Sequence, residues 1–274
     1  MADIQNRFSK MPRNWIATDR PAYLAHFVGQ EIQLEESAKK TLIASGDVIA
    51  ALKIYMLLVA MADDVKQQKH VGEGRVRTTY DEIGLYLKLS RAKIRNGLAL
   101  LEWSNAIIRL EKKPLLYELS NYHPKNFYKL PKGQLYGYRP SSEPIALARF
   151  PNRGVFAMRA LVLYLLILSV CQRDNNVSLI LYSTMADRTG IPQNGIRQAI
   201  DHLVNHQMIS VIRVTNEETL EAFGIPILIK GKGSPNAYLI HGLKGKAYQD
   251  RVNTMTNWLE AAKEASEGSF EDFF

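Results

Sequence analysis

Only one cysteine, Cys171, stands in the 274 residues of this chain. Neither a disulfide framework nor a thiolate metal site can be built from one. No apolar run approaches the length of a spanning helix, and Met1 to Lys10 has no apolar secretory core. These absences predict a soluble protein of the bacterial cytoplasm. Catalytic patterns are missing too. Gly231-Lys232-Gly233-Ser234 lacks the spacing of a phosphate loop. No H-x-H pair accompanies a nucleophilic tyrosine, and no carboxylate set suggests a two-metal site. His202 and His206 are four residues apart but have no third ligand at a telling distance. The expectation is a binder without metal, cofactor or catalytic residues, not an enzyme.

What is present is charge and duplication. Lysine and arginine number 35 against 27 acidic residues, a formal charge of +8. Residues 251–274 carry Arg251 and Lys263 against Glu260, Glu264, Glu267, Glu271 and Asp272. Subtracting that local −3 from +8 leaves +11 on the remainder. A basic body favours a polyanionic partner.

The run Ala51 to Val59 returns as Ala160 to Leu168. Further on, Tyr80, Ile83, Gly84, Leu89, Ile94, Arg95, Gly97, Leu98, Leu101 and Ile107 return 102 residues later as Tyr182, Met185, Ala186, Ile191, Ile196, Arg197, Ala199, Ile200, Leu203 and Ile209. A repeated unit must be read as a unit. In the first copy, Ala51 to Ala62 predicts a buried helix and Arg75 to Thr78 a short strand. Thr79 and Glu82 have capping-box spacing for a short helix ending at Leu87, and Ser90 can cap the next helix. There Ile94, Gly97, Leu98 and Leu101 fall on one apolar face, leaving Arg91, Lys93, Arg95 and Asn96 outward. Ala106 to Leu110 and Leu115 to Leu119 predict two strands joined by Glu111 to Pro114.

The second copy follows the same plan. Ala160 to Cys171 is the first helix, Ser178 to Leu181 the strand, and Met185 to Thr189 the short helix. Gln193 to His206 is the second helix of the pair, with Pro192 able to occupy the first helical position. Its outward residues include Gln193, Asn194, Arg197 and Gln198. Ile209 to Val214 and Ala237 to Ile240 form the hairpin, and Lys230 and Lys232 lie in its long connection. The fold class predicted is α+β, mostly helical, with two winged helix-turn-helix domains in tandem and a C-terminal helix and acidic tail. The boundaries read 1–45 for an N-terminal arm, 46–120 for the first domain and 121–152 for a basic-aromatic linker. The second domain follows at 153–243, an amphipathic helix at 244–266 and an acidic-aromatic tail at 267–274.

The arm is expected to pack on the first repeat or to contact a partner. The linker interleaves Tyr122, Phe127, Tyr128, Tyr136 and Tyr138 with Lys125, Lys129, Lys132 and Arg139. Such a mixture either packs across both domains or tracks a nucleic-acid backbone. In the tail, Phe270, Phe273 and Phe274 stand among acids, as a docking peptide for a protein partner or a disordered end.

In helix-turn-helix proteins the early exposed residues of the second helix meet base edges in the major groove. Arg91, Lys93, Arg95 and Asn96, then Gln193, Asn194, Arg197 and Gln198, are the DNA-binding residues expected here. Arginine pairs with guanine, and Asn or Gln with adenine. Lys112, Lys113, Lys230 and Lys232 would reach phosphates from the wings. With Ile94-Arg95 and Ile196-Arg197 as its motif positions, the span from Gly46 to Gly242 resembles the replication initiators of plasmids and other mobile elements. The resemblance implies sequence-specific binding of double-stranded DNA repeats at an origin, and a homodimer through one winged helix. A transcriptional regulator with the same surface, or a protein-interaction scaffold using the tail, are the other readings.

Overall fold

The computed structural model describes residues 8–33, 40–62, 71–132, 145–171, 177–213 and 236–243. Ahead of the repeats come β1 (Phe8–Pro12), α1 (Arg13–Ala17), α2 (Arg20–His26), β2 (Glu31–Gln33) and β3 (Lys40–Leu42). The first repeat holds α3 (Ser45–Ala62), β4 (Arg75–Thr78), α4 (Tyr80–Leu87), α5 (Arg91–Trp103), β5 (Ile107–Lys112) and β6 (Leu115–Leu119). Then follow β7 (Phe127–Pro131) and α6 (Ile145–Arg149). The second repeat holds α7 (Val155–Ser169), β8 (Val177–Ile180), α8 (Tyr182–Thr189), α9 (Gln193–Asn205), β9 (Ile209–Arg213) and β10 (Asn236–Ile240). The chain is α+β, with small antiparallel sheets.

The two repeats share an element order and a sheet order. The sheets run β4-β6-β5 and β8-β10-β9, so in each the first strand lies beside the third. Even the left-handed backbone positions repeat: Lys88 (φ 52°) matches Gly190 (φ 66°), and Asn105 matches Gln207, both at φ 55°. Lys88 and Gly190 cap the first helix of each pair, donating to the carbonyls of Gly84 and Ala186. A side chain at Gly190 would also strike the ring of His26, 2.8 Å from an ideal Cβ. Glycine is needed there for space as well as for its backbone freedom.

α3 and α7 form the centre. α3 starts at Ser45, six residues before the expected Ala51, and nearly every residue along it is buried. It is apolar all round because α2, α5, α7, β1, β4 and β6 surround it. By length and composition this 18-residue helix is apolar enough to cross a membrane, which corrects the reading that no run reaches that length. Within the fold 89% of it is buried against protein. α7 ends at Ser169, so Cys171 sits beyond the helix, in a bridge to Ser178. Burial pushes its thiol up to about 11, against smaller opposing effects of a Ser178 hydrogen bond and the Lys129 charge. Such a thiol is a poor nucleophile.

Three local expectations shift. β5 runs to Lys112, leaving a tighter connection than Glu111 to Pro114, with a bulge between Arg109 and Glu111. Pro192 is the N-cap of α9, with extended backbone, and does not occupy the first helical position. The arm packs on both repeats, not on the first alone. Asp19 pairs with Arg188 of α8 at 2.6 Å, while Tyr23 and Phe27 pack on Trp103 of α5. β1 pairs with β7 of the linker, so within the described residues the linker packs its aromatics.

Candidate nucleic-acid interface

The geometry of the first helix pair starts at a capping box. Thr79 Oγ1 accepts from the Glu82 N–H at 3.1 Å, and Glu82 accepts from the Thr79 N–H at 2.9 Å. This satisfies two of the donors that a helix start leaves open. After the left-handed Lys88, Ser90 caps α5 by accepting from the Lys93 N–H. Gly97 then brings α5 against the backbone of α3. An ideal Cβ there would lie 2.9 Å from both the Ala51 nitrogen and Ile54 Cδ1. Only hydrogen fits at this crossing, which sets the roll of α5.

That roll divides the four residues expected on one outward face. Arg91 and Arg95, one turn apart, are exposed. Arg91 pairs with Asp81 at 2.6 Å, both side chains being more than three-quarters exposed. An ion pair so open to water holds weakly, so the guanidinium can exchange its partner. Lys93 and Asn96, three residues apart, lie on the other flank and turn inward. Both donate to Asp47 Oδ1, at 2.9 and 3.0 Å. Asp47 is buried in the first turn of α3, and its other oxygen accepts from the Ala44 N–H at 3.0 Å. Lys93 and Asn96 therefore pin α5 to α3, which corrects their placement on the outward face. The periodicity of α5 alone could not reveal the neighbouring helix end.

In the second repeat Gln193, Asn194, Arg197 and Gln198 are all exposed. Asn194 spends its side-chain oxygen locally, accepting from the Gly195 N–H at 2.8 Å. Gly195 leaves room for Arg159 of α7, whose Nη1 would lie 2.9 Å from a Cβ. Further along α9, His202 and His206 stack at 5.8 Å. Desolvation, then the neighbouring His206, hold His202 below its ordinary range against the pull of Asp201. Among the described residues no group of three His, Cys, Asp or Glu side chains could hold a metal. Lys112 and Lys113 are exposed at the end of β5 and in the turn after it. Lys230, Lys232, Phe270, Phe273 and Phe274 lie outside the described residues.

One polar cluster escaped the sequence reading. Lys53 of α3 is fully buried and donates to the Phe150 carbonyl at 3.0 Å and to Asn152 Oδ1 at 2.6 Å. Asn152 in turn donates to the Lys88 carbonyl at 3.0 Å. The junction thus links the core of the first repeat, the turn between its paired helices and the approach to α7. Its signal was a lone lysine in an apolar run. No protein-family model and no curated protein matches the chain.

Proposed function

We propose that the protein binds double-stranded DNA sequence-specifically through two winged helix-turn-helix units in tandem, with α5 and α9 in successive major grooves. We further propose that it marks the origin of a plasmid or other mobile element as a replication initiator. The observation that carries the reading is the equivalence of Arg95 and Arg197. Both are exposed, both lie 102 residues apart in matched helices, and both follow a left-handed turn of the same length. The helix–strand–helix–helix–strand–strand order of each repeat and its sheet order support the winged-helix part. A third strand beside the first leaves the β5–β6 turn, with Lys112 and Lys113, as the wing of the first unit.

With Lys93 and Asn96 committed to Asp47, Arg91 and Arg95 carry the contact of the first unit. The second unit offers Gln193, Asn194, Arg197 and Gln198. Arginine suits guanine and the amides suit adenine, so α9 discriminates more base types. The C-terminal phenylalanines are proposed to recruit a protein of the replication machinery.

Arg95→Ala and Arg197→Ala should each weaken binding to a selected site by about 1–3 kcal/mol. A double variant that binds that site with full affinity would refute the DNA reading. Selection of bound fragments from the source genome identifies the site. Maintenance of an otherwise non-replicating plasmid that carries it, dependent on both arginines, supports the initiator. Altered transcription of a neighbouring promoter without maintenance assigns the surface to a regulator.

A further inference from the structure

The ribbon of β1 and β7 lies on neither proposed recognition helix. Its strands pair in antiparallel register, with Lys10 directly opposite Lys129. Like charges so placed are destabilising. Strand alternation puts Phe8, Lys10, Phe127 and Lys129 on one face, while Ser9, Met11 and Leu130 are buried beneath. On the first face, where all four side chains are half-buried, Phe8 and Phe127 stack with centroids 5.8 Å apart. Lys10 Nζ lies 5.9 Å from the Phe127 centroid and Lys129 Nζ 5.4 Å from that of Phe8. Each ammonium group thus lies within cation–π range of a ring from the opposite strand. At the ribbon end Arg13 lies over Tyr128 at 5.2 Å and donates to its hydroxyl at 3.2 Å. Segments 8–18 and 121–132 carry Lys10, Arg13, Lys125, Lys129 and Lys132 and contain no aspartate or glutamate.

We infer that this ribbon is a sequence-independent binding surface for the phosphate backbone of duplex DNA; the inference rests on the proposed DNA-binding function. The charge calls for a polyanion. The two phenylalanine rings are occupied by each other and by the lysines, so they are not open platforms for unpaired bases, the usual use of aromatics in single-strand binding. Position makes the surface distinct. α5 and α9 begin where Lys93 approaches Gly46 and Arg159 approaches Gly195, at the N-terminal ends of α3 and α7. β7 packs on α7, and the charge of Lys129 reaches Cys171, two residues past the other end of that helix. Fifteen residues of α7 separate the two ends by roughly 22 Å. The ribbon therefore engages backbone outside the grooves read by the helices.

The test uses the full chain, a duplex of random sequence as probe, and anisotropy titrations between about 50 and 200 mM salt. Lys10→Gln, Arg13→Gln and Lys129→Gln combined should lower the slope of log affinity against log salt by about 2–3, near 0.9 for each phosphate no longer neutralised. Lys10→Arg with Lys129→Arg should keep it. In the unmutated protein, the same duplex should protect Lys10 and Lys129 from amine acetylation, which covers the case of a variant that does not fold. An unchanged slope, or no protection, overturns the inference and leaves the recognition helices untouched. Loss of slope on a single-stranded RNA probe but not on the duplex also overturns it. Arg95→Ala with Arg197→Ala abolishes discrimination between selected and random duplex while retaining the ribbon's slope, so the two readings fail separately.

Discussion

Lys53 makes the stability of this protein depend on pH in a direction opposite to most buried groups. Burial lowers its amine from 10.5 to about 7. In the unfolded chain the amine stays protonated to near its ordinary value, so above pH 7 the unfolded state binds more protons than the folded one. Stability must then rise with pH through the window between the two values. The cleanest part lies below 9.0, the ordinary value of cysteine, because Cys171 is raised by burial and opposes the trend at higher pH. The buried phenols of Tyr55 and Tyr164, also raised by burial, oppose it more alkaline still. From pH 7 to about 9 the linkage of this one group amounts to about 2 kcal/mol. Urea unfolding at several pH values, in the unmutated chain and in Lys53→Met, isolates it. Methionine is unbranched, one atom shorter, and cannot titrate. The difference in unfolding free energy between the two proteins should move by about 2 kcal/mol across the window, in favour of the unmutated chain at higher pH. Parallel stability profiles would refute the reasoning and place Lys53 in contact with water.

Two further perturbations test how α5 is held. Gly97→Ala should cost about 1–2 kcal/mol in urea unfolding: the methyl meets the α3 backbone at 2.9 Å, and overpacking outweighs the gain in helix propensity. A stabilised variant would mean that the helices separate freely. Asp47→Ala should cost about 2 kcal/mol, because it strands the donors of Lys93 and Asn96 and the Ala44 N–H; it should also weaken the proposed DNA binding only through the tilt of α5, leaving the salt slope unchanged.

Much of the local structure was legible in the order of residues. The apolar face of α5 and the Thr79–Glu82 box follow from short-range rules, because each depends on neighbours a few residues away, while the 102-residue offset shows when the two copies are laid side by side. Gly97 and Lys53 could be seen as anomalies, a glycine in a helix and a charge in an apolar run, but not interpreted. Their meaning needed the partner: α3 for the glycine, and Phe150 with Asn152 for the amine. The same holds for the split between Arg91 and Arg95 on one flank of α5 and Lys93 and Asn96 on the other. Periodicity defines the buried face of a helix, but a charged residue beside that face points to water or to another element according to what lies next to it. The first turn of α3, with Asp47, decided that. Likewise β1 and β7 are more than a hundred residues apart, and no local pattern announces a pairing between an arm and a linker. Only the folded chain set Lys10 against Lys129, since register across so long a loop is chosen by the core beneath the ribbon and not by either strand alone.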